Sequence, residues 1–320
     1  MAPALSQSEA QKVFERYVQE NAASDAKGDT EAIATVEGGR LLEESLASRR
    51  LHQAKGTKDT PVQYTKPVFL IPRPAKGATA PQGFAVLSKS DAQENNRTSV
   101  LHYFTRDKDS GDWKAVAASW VLTEPLPEPS EPTPTSSREI VMLRPKVMPS
   151  LAQDSSGVVE LSTTSTADTG VCGRYAEYLT FTVPTGKPDS PNFERGEFTS
   201  KLVEFFNGWE AKSLQRSLSF RPAGKELPVL RLKDGGSLVT CTLEGTYRDK
   251  GRTSADWIET NVGSDTEALL GGGTRKWASI EEVWSVTAVV EVPPGGSPAA
   301  VLSANAYGAT KLSVKGVEWK

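Results

Sequence analysis

The chain is short of the residues that most often carry chemistry. It has two cysteines and two histidines in 320 residues. Cys172 and Cys241 stand far apart, outside any Cys-x-x-Cys or Cys/His cluster, and His52 and His102 are equally isolated. A zinc site takes three or four Cys, His or carboxylate ligands at short spacings, so the usual Cys/His versions are excluded. No calcium-loop spacing of acidic residues is present either, so the sequence calls for no metal and no cofactor. Apolar runs are a few residues long, too short to span a bilayer. Net charge is −3, with 37 basic against 40 acidic side chains. No basic arm or face stands out, so the phosphate-neutralising footprint of a nucleic-acid binder is missing.

What is present describes a folded protein. Hydrophobic residues make up 37% and charged residues 24%, outside the disordered class. The length suggests two domains. The start, MAPALSQSEAQ, has no charged n-region followed by an apolar h-region. Either the protein stays in the cytosol, or a leader has been removed and Met1 added.

Residues 5–26 read as a helix. Ala10, Val13, Phe14, Tyr17 and Val18 form an apolar stripe, and Ser6 with Glu9 fits a capping box. Shorter helices are expected at 30–36 and 40–54. The period then changes to strands at 68–71, 84–87, 100–105 and 113–122, with a turn at Lys108-Asp109-Ser110-Gly111-Asp112. Residues 124–137 hold five prolines, which fix φ and remove donors. This stretch reads as a stiff linker between domains 1–123 and 138–320, although a Pro-x-x-Pro ligand is also conceivable there.

The second half repeats the order of helices followed by strands. Strands are expected near 139–143 and 158–162, and helices at 170–182 and 194–217. The longer helix carries Phe198, Leu202, Phe205, Phe206 and Trp209 on one face, which places Trp209 in the core. Strands follow at 227–232, 237–248, 280–292 and 299–317. The fold class is therefore α+β: two domains, each with helices on a curved antiparallel sheet.

The order and length of residues 5–123, with the segment Ala32–Ser45 (AIATVEGGRLLEES), resemble the NTF2-like (cystatin-like) superfamily, which implies helices cupped by a bent sheet. Three stretches of the second half together resemble a domain of unknown function from secreted or lipid-anchored actinobacterial proteins. They are Leu232-Lys233-Asp234-Gly235-Gly236-Ser237-Leu238-Val239, residues 267–273 (EALLGGG) and Val292-Pro293-Pro294-Gly295. That resemblance covers about 138–318 and implies a compartment rather than a reaction: extracytoplasmic, secreted or envelope-associated. The lipid-attachment cysteine of such precursors is absent, which fits a chain that begins after it and leaves tethering through a removed anchor open.

His102 shares a strand face with Val100 and Phe104. In an NTF2-like cup it could act as a general base if a carboxylate such as Asp25 or Asp29 held its tautomer. Equally, and more commonly, such a histidine is half-buried with one hydrogen bond. His52, in Arg49-Arg50-Leu51-His52, reads as solvent-facing. Gly271-Gly272-Gly273-Thr274-Arg275-Lys276 has neither the spacing of a phosphate loop nor the helix that follows one. Cys172 and Cys241 are expected to be bridged. Val239, Cys241 and Leu243 share an apolar strand face toward the helices, while Thr240, Thr242 and Glu244 on the other face suit solvent. Of the seven tryptophans, Trp257 and Trp277 lie near loops and could anchor a partner or glycan.

These features favour a non-catalytic extracytoplasmic protein that holds a protein partner or small ligand in a cup or interdomain cleft. A hydratase or isomerase with His102 as base, and a structural envelope protein, are the alternatives.

Overall fold

The computed structural model describes residues 5–73, 83–92, 97–106, 111–127, 144–155, 158–162, 165–273 and 275–320. The turn at 108–112, the linker at 124–137 and the strand at 139–143 lie wholly or largely outside these residues.

The first half opens with α1 (Gln7–Lys27), α2 (Thr30–Ala34) and α3 (Gly39–Lys55). Ser6 and Glu9 form the reciprocal capping box at the start of α1, and Gly28 stops it with φ 68°, a conformation only glycine adopts without cost. Asp29 then starts α2 by accepting from the Glu31 and Ala32 amides. Strands β1 (Tyr64–Leu70), β2 (Gly83–Ser90), β3 (Thr98–Arg106) and β4 (Trp113–Leu122) form an antiparallel meander in sequence order.

The second half contains α4 (Ser165–Tyr178), β5 (Phe181–Thr182), α5 (Ser200–Asn207), β6 (Leu214–Pro222), β7 (Leu230–Arg231), β8 (Ser237–Gly251) and β9 (Ile258–Glu259). It continues with α6 (Asp265–Leu269), β10 (Lys276–Val292), β11 (Ala300–Ala304), a 3₁₀ turn (Asn305–Gly308) and β12 (Thr310–Glu318). The main path of its sheet runs β11-β10-β8-β6-β5, with β12 and β9 also on β10 and β7 on β8. The protein is thus α+β with antiparallel sheets.

Two expectations shift, one helix and one strand. Residues 194–217 do not make one helix. The helix is Ser200–Asn207, and from Leu214 the chain is strand. Leu214, Leu218 and Phe220 are buried at alternate positions, a period-two signal at the end of an apparent helical stripe. The 299–317 strand is broken by the 3₁₀ turn.

The layers explain where the apolar residues go. Phe14 and Tyr17 of α1 and Ile33 of α2 pack with Phe84, Val86 and Phe104 on one face of the first sheet. The other face, with Ala85, Leu101, Tyr103, Ala117 and Val121, packs on Leu238, Val289 and Leu302 of the second sheet. The opposite side of that second sheet, with Val239, Cys241, Leu243, Val286 and Val290, is covered by Val171 and Tyr175 of α4 and Leu202, Val203 and Phe206 of α5. The order is helices, sheet, sheet, helices. This corrects the expectation that Thr240 and Thr242 face solvent: both are buried, Thr240 against Tyr103 of the first sheet and Thr242 against the chain at Ala223, whose carbonyl accepts its hydroxyl. Glu244 is partly covered and ion-paired to Arg221 and to Arg40 of α3.

Cys172 of α4 and Cys241 of β8 are bonded, with Cα atoms 5.3 Å apart. The helix-facing alternation of β8 places Cys241 under α4, so the bridge fastens helix to sheet.

Candidate functional site

His102 lies inside the first half. It is fully buried, and neither ring nitrogen has a hydrogen-bond partner. Phe14, Tyr17, Tyr64 and Phe104 surround its ring, with Tyr64 nearest at 4.7 Å between centroids. Burial alone pushes its pKa down to about 3, so the imidazole is neutral. The carboxylates proposed to orient it are engaged elsewhere. Asp25 is paired with Arg49 at 3.0 Å, and Asp29 caps α2. No acid–base pair forms around His102.

Nearby, Glu37 is also buried. Its Oε2 lacks a partner, and burial pushes its carboxyl up to about 8. Ser45 bonds to this carboxyl and opposes the shift.

His52 is about one-third exposed rather than fully solvent-facing. Its Nε2 lies 2.8 Å from Asp59 Oδ1 and its Nδ1 2.8 Å from Thr57 Oγ1. Hydroxyl, imidazole and carboxylate stand in line, but they close the end of α3. The Thr57 amide donates to the His52 carbonyl, and Gly56 donates to Gln53 and His52. A helix C-terminus offers carbonyls, the wrong groups for stabilising an oxyanion.

The stretch Gly271–Gly273 follows α6, and a strand begins at Lys276, so no helix N-terminus is offered to a phosphate. Among the described residues, no cluster of three His, Cys, Asp or Glu could hold a metal ion, and no helix is long and apolar enough to cross a membrane.

A cleft of about 660 Å³ opens in the second half, at the end of the sheet's helix-covered face. Along β8 the inward positions run Val239, Cys241, Leu243, Gly245, Tyr247, Asp249. Along β10 they run Val290, Ala288, Val286, Trp284, Glu282, Ile280. The cross-strand register sets Glu282 opposite Tyr247 and Ile280 opposite Asp249. The core therefore becomes aromatic and then acidic where α5 no longer covers it.

Trp209, just after α5, forms the near wall. Its ring lies edge-on to Tyr247 and Trp284, and those two are stacked with centroids 5.4 Å apart. This corrects its assignment to the core: Trp209 is half-buried at the core's edge, because α5 ends at Asn207. Trp257 stands exposed on the far wall, while Trp277 is buried in β10.

The buried charges of this cleft are paired within the protein, while the exposed Glu259 at its rim accepts the Trp257 N–H. Arg216 Nε donates to Asp249 Oδ1 at 2.9 Å, and another nitrogen of Arg216 donates to the Trp209 carbonyl. Burial raises the Asp249 pKa against the pull of Arg216. Glu282 accepts from Lys311 Nζ at 3.0 Å, from Trp284 Nε1 at 2.8 Å and from Thr266 Oγ1.

Asp249, Glu282, Arg216, Lys311 and Tyr247 were not legible as a site in the sequence. The signal was there as two acids at core-facing positions of otherwise apolar strands.

The family model described as Domain of unknown function (DUF8094) matches residues 1–131 and 139–311. The chain belongs to this family. The DUF8094 match spans both halves, whereas the sequence resemblance to a domain of unknown function covers the second half alone. No curated protein and no solved structure matches the chain.

Proposed function

We propose that this DUF8094 protein is a non-catalytic binding protein that holds a small ligand in the second-half cleft. The observation that carries the reading is the fixed aromatic wall of Trp209, Tyr247 and Trp284 over carboxylates whose oxygens are already bonded. Small-molecule sites are concave, aromatic-rich and equipped with a few positioned polar groups. A general acid or base needs a carboxylate free to exchange a proton with substrate. Asp249 and Glu282 are instead held by Arg216 and Lys311. His102, with neither cleft nor carboxylate, gives a hydratase or isomerase reading no support. A purely structural envelope role leaves the cleft without a purpose.

The disulfide supports an oxidising, extracytoplasmic setting. An actinobacterial origin, tethering through a lipid anchor and NTF2-like ancestry of the first half remain part of this reading on sequence resemblance. Partners are a small molecule, or a protein presenting one, and not nucleic acid.

Thermal-shift screening of the full chain against a fragment library, in parallel with Trp257→Ala, tests the reading. Stabilisation of the parent chain that is lost in the variant supports it. Hits that stabilise both equally contradict it.

A further inference from the structure

This inference rests on the cleft being the ligand site and narrows the ligand to a class. We infer that the cleft takes a neutral saccharide, seated with one face of a sugar ring against the aromatic wall.

Trp257 is 39% exposed. Its indole N–H is already donated to Glu259 Oε1 at 3.0 Å. The Lys276 ammonium lies 3.8 Å from its ring centroid, a cation–π contact that holds the indole from one side. Trp284 likewise donates its N–H to Glu282. Trp284 is buried, 6% exposed and stacked on Tyr247, so the indole surface open to a ligand is that of Trp257, rigid and with its donor already used. A pyranose ring is apolar across one face, where its C–H bonds cluster, and polar around its edge, so it matches such a surface.

Charge argues against other ligands of the same size. Arg216 is paired with Asp249, Lys311 with Glu282, and Asp265 with Lys55 at 2.6 Å. A phosphate finds no unpaired cation among the lining residues and would have to break an existing pair, while an ammonium group would meet the exposed rim carboxylate of Glu259, which already accepts the Trp257 N–H and is screened by solvent. A wholly apolar ligand would cut Arg216 and Lys311, each about one-fifth exposed, off from water with nothing in exchange. Sugar hydroxyls both donate and accept, so they replace that water. The cleft rim adds Thr260 and Asn261, a hydroxyl and a carboxamide that also donate and accept.

Saturation-transfer difference NMR on the full chain tests this. The probes are neutral gluco-, manno-, galacto- and N-acetylglucosamine oligosaccharides, with indole, choline and inorganic phosphate alongside. The expected result is saturable transfer to ring C–H protons of at least one saccharide. Affinity should fall about tenfold, a loss of about 1.4 kcal/mol, in Trp257→Ala and also in Asn261→Ala, an exposed-loop change that leaves the wall intact. Melting curves confirm that both variants fold. Transfer from saccharides that neither variant weakens overturns the inference. Transfer from indole, choline or phosphate alone, weakened by Trp257→Ala, overturns the saccharide class and leaves the small-ligand reading standing. Silence from every probe overturns both.

Discussion

Thr240 Oγ1 of β8 donates to the Tyr103 hydroxyl of β3 at 3.1 Å, a buried bond between two residues 137 positions apart. It joins the facing surfaces of the two sheets. A lone threonine on an apolar interface would leave its hydroxyl unpaired, at a cost of about 1–3 kcal/mol. Tyr103 removes that cost.

The two sheets are therefore expected to melt together. Leu101 is fully buried between them, and Leu101→Ala should destabilise the protein by about 3 kcal/mol. Unfolding followed by circular dichroism and by tryptophan emission should give coincident transitions in the parent and the variant. Two separated transitions, with only the first moved by Leu101→Ala, would show that the halves are independent.

The bridge between Cys172 and Cys241 closes a separation of 69 residues. The chain-entropy relation gives about 4 kcal/mol for such a loop. Thiol titration of denatured, unreduced protein should find none free, and reduction should lower the urea midpoint. Two free thiols in protein recovered from its native compartment would remove the argument for export.

His102 sets an acid limb of stability. Its folded pKa, about 3, lies below the unfolded value of about 6.5. The unfolded chain thus binds the extra proton as pH falls below about 6.5, and stability drops by up to about 1.4 kcal/mol per pH unit until pH about 3. His102→Leu removes this limb and two unpaired buried nitrogens. It should raise the melting temperature at neutral pH and raise it further at pH 5. A variant less stable than the parent at both values would show that the ring has a partner after all.

Glu37 works in the other direction. Burial raises its folded pKa to about 8, and Glu44 is raised by burial to about 7. Both contributions are fully present below the unfolded pKa of about 4.3 and are lost as pH rises through those folded values. Glu37→Gln mimics the protonated acid. The variant should match the parent near pH 4 and gain on it steadily up to pH 8. Parallel melting profiles across that range would sink the assignment.

Much of the fold could be read from side-chain period. The Ser6 cap and the stripe through Phe14 and Tyr17 located α1, and strand alternation around Cys241 pointed to the bridge. The sheet-on-sheet contact was hidden because Thr240 looks like a solvent residue, and only tertiary structure shows what covers a strand face. The site was harder still. Tyr247 and Asp249 on one strand, and Glu282 and Trp284 on another, become neighbours only through the β8–β10 register. Their partners Arg216 and Lys311 come from two further strands. His102, the conspicuous titratable residue, is enclosed among aromatic rings instead.

The central claim is that ligand enters the second-half cleft. The most direct measurement is the set of indole N–H resonances in isotope-labelled protein, assigned by single Trp→Phe changes, during titration with a binder from the fragment screen. The account predicts shifts at Trp209, Trp257 and Trp284, which line the cleft, with Trp113 and Trp120 of β4 unmoved. Shifts confined to Trp113 and Trp120 would place the ligand in the first half and contradict it.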